Sequence, residues 1–353
     1  MSRFFSEKYA SLTPYVPGEQ PRDMKYVKLN TNESPFPPSE KVLRSAAERL
    51  RMFNLYSDPD ALELREKLAE HYGFSPEEVI VTNGSDEILN FCFMAFCDKD
   101  HPAAFPNISY GFYPVFAAVN GVPYEEIPLT EDFSVRAEDY CGIGKTIIIA
   151  NPNAPTGKLL PVSEIERIVA SNPDNAVVID EAYVDFGGES CLPLVHKYEN
   201  LIVTQTYSKS RSMAGARLGY GIGSRALIQD LNSIRNSTNP YNVNSATLAL
   251  GCATLEDDAY TRRNCETIIE NRGYTTKALE AMGFEVLPSC ANFIFARTPK
   301  IDGEALYRKL KERGVLVRHF SKPELCRFNR ITIGTRAQMD AFLDAVKLIL
   351  EAE

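Results

Sequence analysis

No apolar run in this 353-residue chain approaches the length needed to span a bilayer, and the longest candidates are broken by charges within a few residues. A membrane-spanning helix is therefore not expected. Runs of basic residues are missing too. With a net charge of -9, the chain lacks the clustered Lys and Arg that neutralise phosphates, so no nucleic-acid partner is expected. The opening stretch MSRFFSEKYASLTPY has no apolar h-region, and neither a signal peptide nor an anchor is expected there. Cys92, Cys97, Cys141, Cys191, Cys252, Cys265, Cys290 and Cys326 form no CxxC pair and have no His at ligand spacing, so no metal site is expected. Free thiols in a reducing cytoplasm fit them better than disulfides. Internal repeats and low-complexity segments are also absent.

What is present is an ordinary globular composition, 44% apolar and 24% charged. The length suits two domains, or one large domain with a smaller appendage. Residues 1–45 are rich in Pro and turn formers (LTPYVPGEQPRD, NTNESPFPPSE) and read as an N-terminal arm that joins the smaller domain. Helices are predicted over 40–50 and 61–72. The pattern then alternates: EVIVTNG, TIIIANPN, AVVIDEAY and LIVTQTYSK are apolar, β-branched strands, with amphipathic helices such as VSEIERIVASN between them. Such alternation predicts an α/β fold with a mostly parallel central sheet flanked by helices, over residues 46–255. After Asn239 the texture changes to a long, interrupted helical stretch, then EVLPSCANFIFAR, VLVRHF, RITIGT and a terminal helix. Residues 256–353 are expected to form a smaller α+β domain.

In a parallel α/β sheet, ligands bind beyond the carboxyl ends of the strands. One strand ends in Asn83-Gly84-Ser85-Asp86, a turn with a helix start that exposes backbone N–H groups. The next ends in Asn151-Pro152-Asn153-Ala154-Pro155-Thr156-Gly157. Another ends in Asp180-Glu181-Ala182-Tyr183, and the last in Thr206-Tyr207-Ser208-Lys209, with Arg217 close behind. An anion-binding turn, an amide, a carboxylate and a lysine thus fall at four strand ends. Pyridoxal phosphate uses all of them at once: a lysine for its aldehyde, an acid for its ring nitrogen, donors for its phenolate oxygen and a cup for its phosphate. Taken singly, Asp180 fits a turn residue, Ser85 an N-cap and Lys209 a solvated lysine. Coincidence explains the four together poorly.

Gly221-Ile222-Gly223-Ser224-Arg225-Ala226 matches the G-x-G-x-x-A dinucleotide fingerprint, which also wants an acidic residue about 20 positions on. The stretch from Tyr241 to Leu255 holds no Asp or Glu, so these glycines are read as close packing instead.

With these residues in place, the chain resembles the fold-type I pyridoxal-phosphate aminotransferases, and among them the histidinol-phosphate aminotransferase family. The likeness runs through LNTNESPFPPS, NLYSDPDALELREKLAEHYG, TNGSDEIL, NPNAPTG, VVIDEAYVDF, YSKSRSMAGARLGYGIG and RITIGT. It implies that Lys209 forms the internal aldimine, that Asp180 pairs with the pyridine nitrogen and that Tyr183 donates to the phenolate oxygen. Ser208, Thr206 and Arg217 would hold the phosphate with Gly84, Ser85 and Asp86, and Tyr110 would stack on the ring. Tyr56 would reach the neighbouring subunit's site in a homodimer. Arg330 would take the substrate carboxylate, and Tyr15 and Asn32 would line the substrate pocket.

The implied reaction is a ping-pong transamination between histidinol phosphate and a 2-oxo acid, with 2-oxoglutarate the family's acceptor. Family members often read P-N-N-P-T-G; here the second Asn is Ala154, and either Asn153 shifts into its role, which is the expectation preferred, or Tyr183 acts alone. The same cofactor residues would also serve an aromatic amino-acid aminotransferase or a threonine-phosphate decarboxylase. A non-catalytic protein that kept the fold is disfavoured by the intact set of Lys209, Asp180, Tyr183 and Arg217. Arg22, Arg318 and Arg327 all stand as candidate partners for a substrate phosphate.

Overall fold

The computed structural model describes residues 2–352. After the arm strand β1 (Val27–Lys28), helices α1 (Glu40–Leu50) and α2 (Leu62–Tyr72) lead into the main sheet. There follow β2 (Val79–Thr82), α3 (Ser85–Phe96), β3 (Ala103–Pro106), α4 (Tyr113–Asn120), β4 (Tyr124–Ile127) and β5 (Thr146–Ala150). Next come α5 (Val162–Ser171), β6 (Val177–Asp180), β7 (Leu201–Thr206), β8 (Gly219–Gly223), α6 (Arg225–Thr238) and α7 (Ser245–Glu256). The remainder is α8 (Asp258–Ala281), β9 (Glu285–Val286), β10 (Phe293–Arg297), α9 (Gly303–Glu312), β11 (Val315–Leu316), β12 (Arg318–His319), β13 (Asn329–Thr332) and α10 (Arg336–Leu350).

The main sheet has seven strands in the order β2-β8-β7-β6-β5-β3-β4. Only β8 runs against the others, so the sheet is mixed and mostly parallel. Its central strands are buried on both faces, which is why TIIIA, VVID and LIVTQT read as unbroken apolar runs. Ile147 and Ile149 point into one core with Leu64 and Val203, while Ile148 points into the opposite core with Ile88 and Ile202. Helix α5 closes the first face with Ile165, Ile168 and Val169, an i, i+3, i+4 stripe. The edge strand β4 exposes Tyr124, Glu125 and Glu126, a charged edge that discourages further pairing.

A four-stranded sheet, β12-β13-β10-β9, forms a second unit with α8, α9 and α10. The arm joins it: β1 pairs in parallel with β11, and Leu29 enters the same core. Helix α1 crosses the expected boundary at residues 45 and 46 and packs on α7, with the Ser45 hydroxyl 3.3 Å from the Ala249 carbonyl. No helix among the described residues is long and apolar enough to cross a membrane.

Candidate active site

The carboxyl ends of β2, β6 and β7 lie at one edge of the main sheet, with β6 central and Asp180 in register with Ala150 on one side and Thr204 on the other. At the first of these ends the chain turns from Thr82 into α3 through Gly84, at φ +76, a conformation glycine adopts freely. Gly84 is the N-cap and Ser85 the first helical residue, which corrects the expectation that Ser85 caps this helix. The neighbouring strand comes close: a Cβ on Gly219 would lie 2.4 Å from the Ser85 nitrogen. One on Gly84 would lie 2.6 Å from Nη2 of Arg217. Side-chain space here is taken by backbone and guanidinium, and Ser85 and Asp86 at the start of α3 line the cavity, so that a helix N-terminus borders it as an anion cup would require.

Arg217 itself has φ 54, a left-handed conformation rare outside glycine, which marks a position that the surroundings hold in place. Its Nη2 pairs with Asp86 Oδ2 at 2.9 Å. Asp86 Oδ1 accepts from the Tyr110 hydroxyl at 2.7 Å, and burial beside that carboxylate pushes the Tyr110 phenol well above its ordinary range. Across the cup, Thr206 Oγ1 donates to Ser208 Oγ at 3.0 Å. Ser85, Asp86, Tyr110, Asp180, Tyr183, Thr206, Ser208, Lys209 and Arg217 all line one cavity, and Gly84 sits directly behind Arg217.

Asp180 forms the floor. Burial drives its carboxyl up to about 7, opposed by the hydroxyl of Tyr113, which donates at 3.1 Å, and by the Ala182 N–H at 3.2 Å. It has no ion-pair partner among the described residues, and burial without one favours its protonated form. Lys209 stands opposite, with Nζ 5.7 Å from the Tyr183 ring centre and 3.3 Å from the Thr31 carbonyl.

Asn153 is not brought to the cavity. Its Nδ2 donates to the Ile108 carbonyl at 3.0 Å and to Thr156 Oγ1 at 3.1 Å, and its Oδ1 accepts from Ser109 at 2.8 Å. The methyl of Ala154 faces the cavity in its place. The expected shift of Asn153 does not occur, because its amide is already committed to Thr156 in its own loop and to Ile108 and Ser109 in the loop after β3.

An outer cavity opens beside the inner one and shares Tyr110, Ala154, Tyr183 and Lys209 with it. Tyr15, Asn32 and Arg330 all line it. Tyr15 stacks on Phe112, ring centres 4.3 Å apart. The Arg330 guanidinium lies between Phe293 and Phe320, at 5.2 and 5.6 Å, and its buried Nε has no hydrogen-bond partner. Burial pulls its pKa below the usual arginine range. Of Arg22, Arg318 and Arg327, Arg318 lines this cavity and the other two do not. Tyr56 lies elsewhere, 82% exposed and stacked on Tyr241. Tyr113 escaped the sequence reading; its only signal was its place one helical turn after Tyr110.

The sequence pattern of the family "Aminotransferase class I and II" matches residues 24–346. The histidinol-phosphate aminotransferase 2 of Dechloromonas aromatica is 47% identical over 99% of this chain and 99% of its own. The histidinol-phosphate aminotransferase 1 of Pseudomonas aeruginosa is also 47% identical, over 99% and 100%. Among solved structures, the Sinorhizobium meliloti histidinol-phosphate aminotransferase in complex with pyridoxal-5'-phosphate superposes with a TM-score of 0.86 over 93% of this chain and 92% of that one. At 24% identity, that likeness bears on the fold. The chain belongs to the class I and II aminotransferases, on the branch of the histidinol-phosphate aminotransferases.

Proposed function

We propose that this enzyme transfers the amino group of histidinol phosphate to a 2-oxo acid such as 2-oxoglutarate, with pyridoxal phosphate in the inner cavity. The observation that carries the substrate class is a pair of arginines in the outer cavity. Arg318 on β12 lies directly opposite Arg330 on β13 in the antiparallel register. Like charges paired across strands are unfavourable unless an anion sits between or above them. Both substrates bring such a group: the donor a phosphate, an acceptor such as 2-oxoglutarate its two carboxylates.

The inner cavity suits pyridoxal phosphate on its own chemistry. The buried Asp180, raised to about 7 by its burial, fits a protonated pyridine nitrogen. The α3 N-terminus with Ser85, Thr206, Ser208 and Arg217 fits a phosphate. Lys209 and Tyr183 line the same cavity and bring the amine and the hydroxyl donor that an aldehyde and a phenolate oxygen would need. When bound, the cofactor supplies an electron sink for the bond to the substrate α-hydrogen.

The residues divide the remaining tasks. The Lys209 amine would take the proton from the substrate α-carbon and return it to the carbon that the cofactor's aldehyde supplies, as general base and then acid. Asp180 would hold the pyridine N–H proton and so keep the ring electron-poor. Tyr183 would donate to the phenolate oxygen, and Tyr110 would supply an aromatic wall for the ring. Arg330, already desolvated between two aromatic rings, orients the substrate anion with its planar fork. Tyr15 and Asn32 close the outer wall.

We also read the enzyme as a cytoplasmic homodimer. Leu43, Leu50, Met52, Phe53, Leu55 and Tyr56 form an exposed apolar set on α1 and the turn after it, larger than isolated surface residues would make. This surface supports a second copy of the chain as partner, with Tyr56 entering its site.

A visible spectrum of the purified protein tests the proposal. Loading with pyridoxal phosphate should give a visible band that bleaches when histidinol phosphate is added. A band that ignores histidinol phosphate but bleaches with an aromatic amino acid would move the donor assignment.

A further inference from the structure

The hydroxyl of Tyr183 meets the side-chain amide of Asn32, with Nδ2 at 3.0 Å. An asparagine can turn either end of its amide to a phenol, with opposite consequences. If the N–H group faces it, the phenol oxygen accepts and its own proton is free to point elsewhere. If the carbonyl faces it, that proton is captured.

The choice is made 300 residues away in sequence, on β13. The backbone N–H of Asn32 lies 3.0 Å from Oγ1 of Thr332. A backbone N–H can only donate, so Thr332 accepts there. Its own proton then goes to Asn32 Oδ1, also 3.0 Å away. Oδ1 is thereby fixed on Thr332, and Nδ2 on Tyr183. Donation runs one way, from the peptide N–H through Thr332 and the Asn32 amide to the Tyr183 oxygen, and leaves the Tyr183 proton for the cavity. Asn32 and Thr332 are 1% and 3% exposed, so water does not compete. Asn32 sits at φ 56, and its carbonyl accepts from Asn292 Nδ2 at 2.9 Å, which pins the turn on its other side.

We propose that Thr332 is a positioning residue that acts through Asn32 to aim the hydroxyl proton of Tyr183 into the cofactor cavity. Ala154, the cavity's neighbour of Tyr183, offers no polar side-chain atom, which leaves the orientation of this phenol to the relay. Arg330 precedes Thr332 by two residues on the same strand and so shares its face. One strand then carries both a substrate cation and the group that orders the cofactor's donor. The inference rests on the reading that the inner cavity takes pyridoxal phosphate.

The test is a pH titration of the visible absorption of the pyridoxal-phosphate-loaded protein, whose protonated and unprotonated forms absorb differently. A donor to the phenolate oxygen favours the unprotonated form and holds the titration midpoint down. Thr332→Val keeps the shape but removes the hydroxyl, so the amide is free to turn and capture the Tyr183 proton. The midpoint should move up by about one pH unit, and Thr332→Ser should restore it. A Val variant that melts earlier but titrates at the wild-type midpoint would mean a purely structural threonine and overturn the inference. Should Thr332→Val not fold, Asn32→Gly serves, since glycine accepts the left-handed turn; an upward shift supports the relay, and an unmoved midpoint refutes it. Failure of the underlying reading looks different: wild-type protein with pyridoxal phosphate would then show no visible band at all.

Discussion

At the scale of single residues, Asp180 shows how a site can be built at the expense of the bare protein. Its carboxyl titrates at about 7 in the folded chain, against 3.8 for the free side chain. Between those values the folded state holds a proton that the unfolded state releases. Stability of the cofactor-free protein should therefore fall as pH rises from about 4 to about 7, by on the order of 4 kcal/mol in total. Asp180→Asn should flatten that slope, which urea unfolding of the cofactor-free protein at the two ends of the range would measure. The same variant should cost roughly 10²–10³-fold in kcat, because the charge that holds the ring proton is gone. Arg318 offers a sharper substrate test. Arg318→Gln should raise KM for histidinol phosphate by roughly 10-fold or more, as loss of one charge-assisted hydrogen bond implies, while binding of pyridoxal phosphate stays unchanged. Equal KM values for variant and wild type would leave Arg330 as the sole anion site. Lys209, Asp180 and Arg217 were legible in the sequence because each follows directly on a recognisable strand or glycine turn. Asn153 and Ala154 were not, since which of two adjacent side chains faces a cavity depends on how the loop is hydrogen-bonded. Tyr113 and Thr332 were hidden for another reason: their partners, Asp180 and Asn32, lie 67 and 300 residues away.

At the scale of elements, the approach of β8 to the start of α3 decides whether the phosphate cup exists. The close packing expected of Gly221 and Gly223 extends here to Gly219. A Cβ on Gly221 would lie 2.1 Å from Ile88 Cδ1, and one on Gly219 would strike the backbone at Ser85 and Gly84. The first could be relieved by a side-chain rotation; the second could not. Gly219→Ala should thus push the N-terminus of α3 away from β7, cost about 1–3 kcal/mol of stability and weaken cofactor affinity well beyond that general loss. Thermal melting and a pyridoxal-phosphate titration, run side by side, separate the two effects. A variant as stable as wild type with unchanged affinity would mean that the cup tolerates a shifted helix. The strands β5, β6 and β7 announced themselves through continuous β-branched runs because both their faces are buried. Strand β4 did not: YEEI has three exposed residues, and an edge strand need satisfy only one neighbour. The Ser85 cap was misread because Ser is a good N-cap type in general, whereas this turn needs the positive φ that Gly84 supplies.

At the scale of the whole molecule, the outer cavity is assembled from far-separated parts of the chain. The arm contributes Tyr15 and Asn32, the main sheet Lys209 and Tyr183, and the second sheet Arg318 and Arg330. Tyr56 lines neither of the subunit's two cavities. Its ring is 82% exposed among apolar neighbours, a poor arrangement for a monomer and a sound one for a contact between copies. If it completes the partner's phosphate cup, a Lys209 lesion in one subunit and a Tyr56 lesion in the other must fall on the same site of a mixed dimer. Lys209→Ala and Tyr56→Ala proteins should each be nearly inactive alone. Unfolded together and refolded as a mixture, half of the dimers would be mixed, and each mixed dimer would hold one site with both residues intact. Activity should then recover to about a quarter of the wild-type level, as random pairing of two subunits requires. A mixture no more active than its parents would confine Tyr56 to its own subunit, and the apolar surface around it would need another occupant.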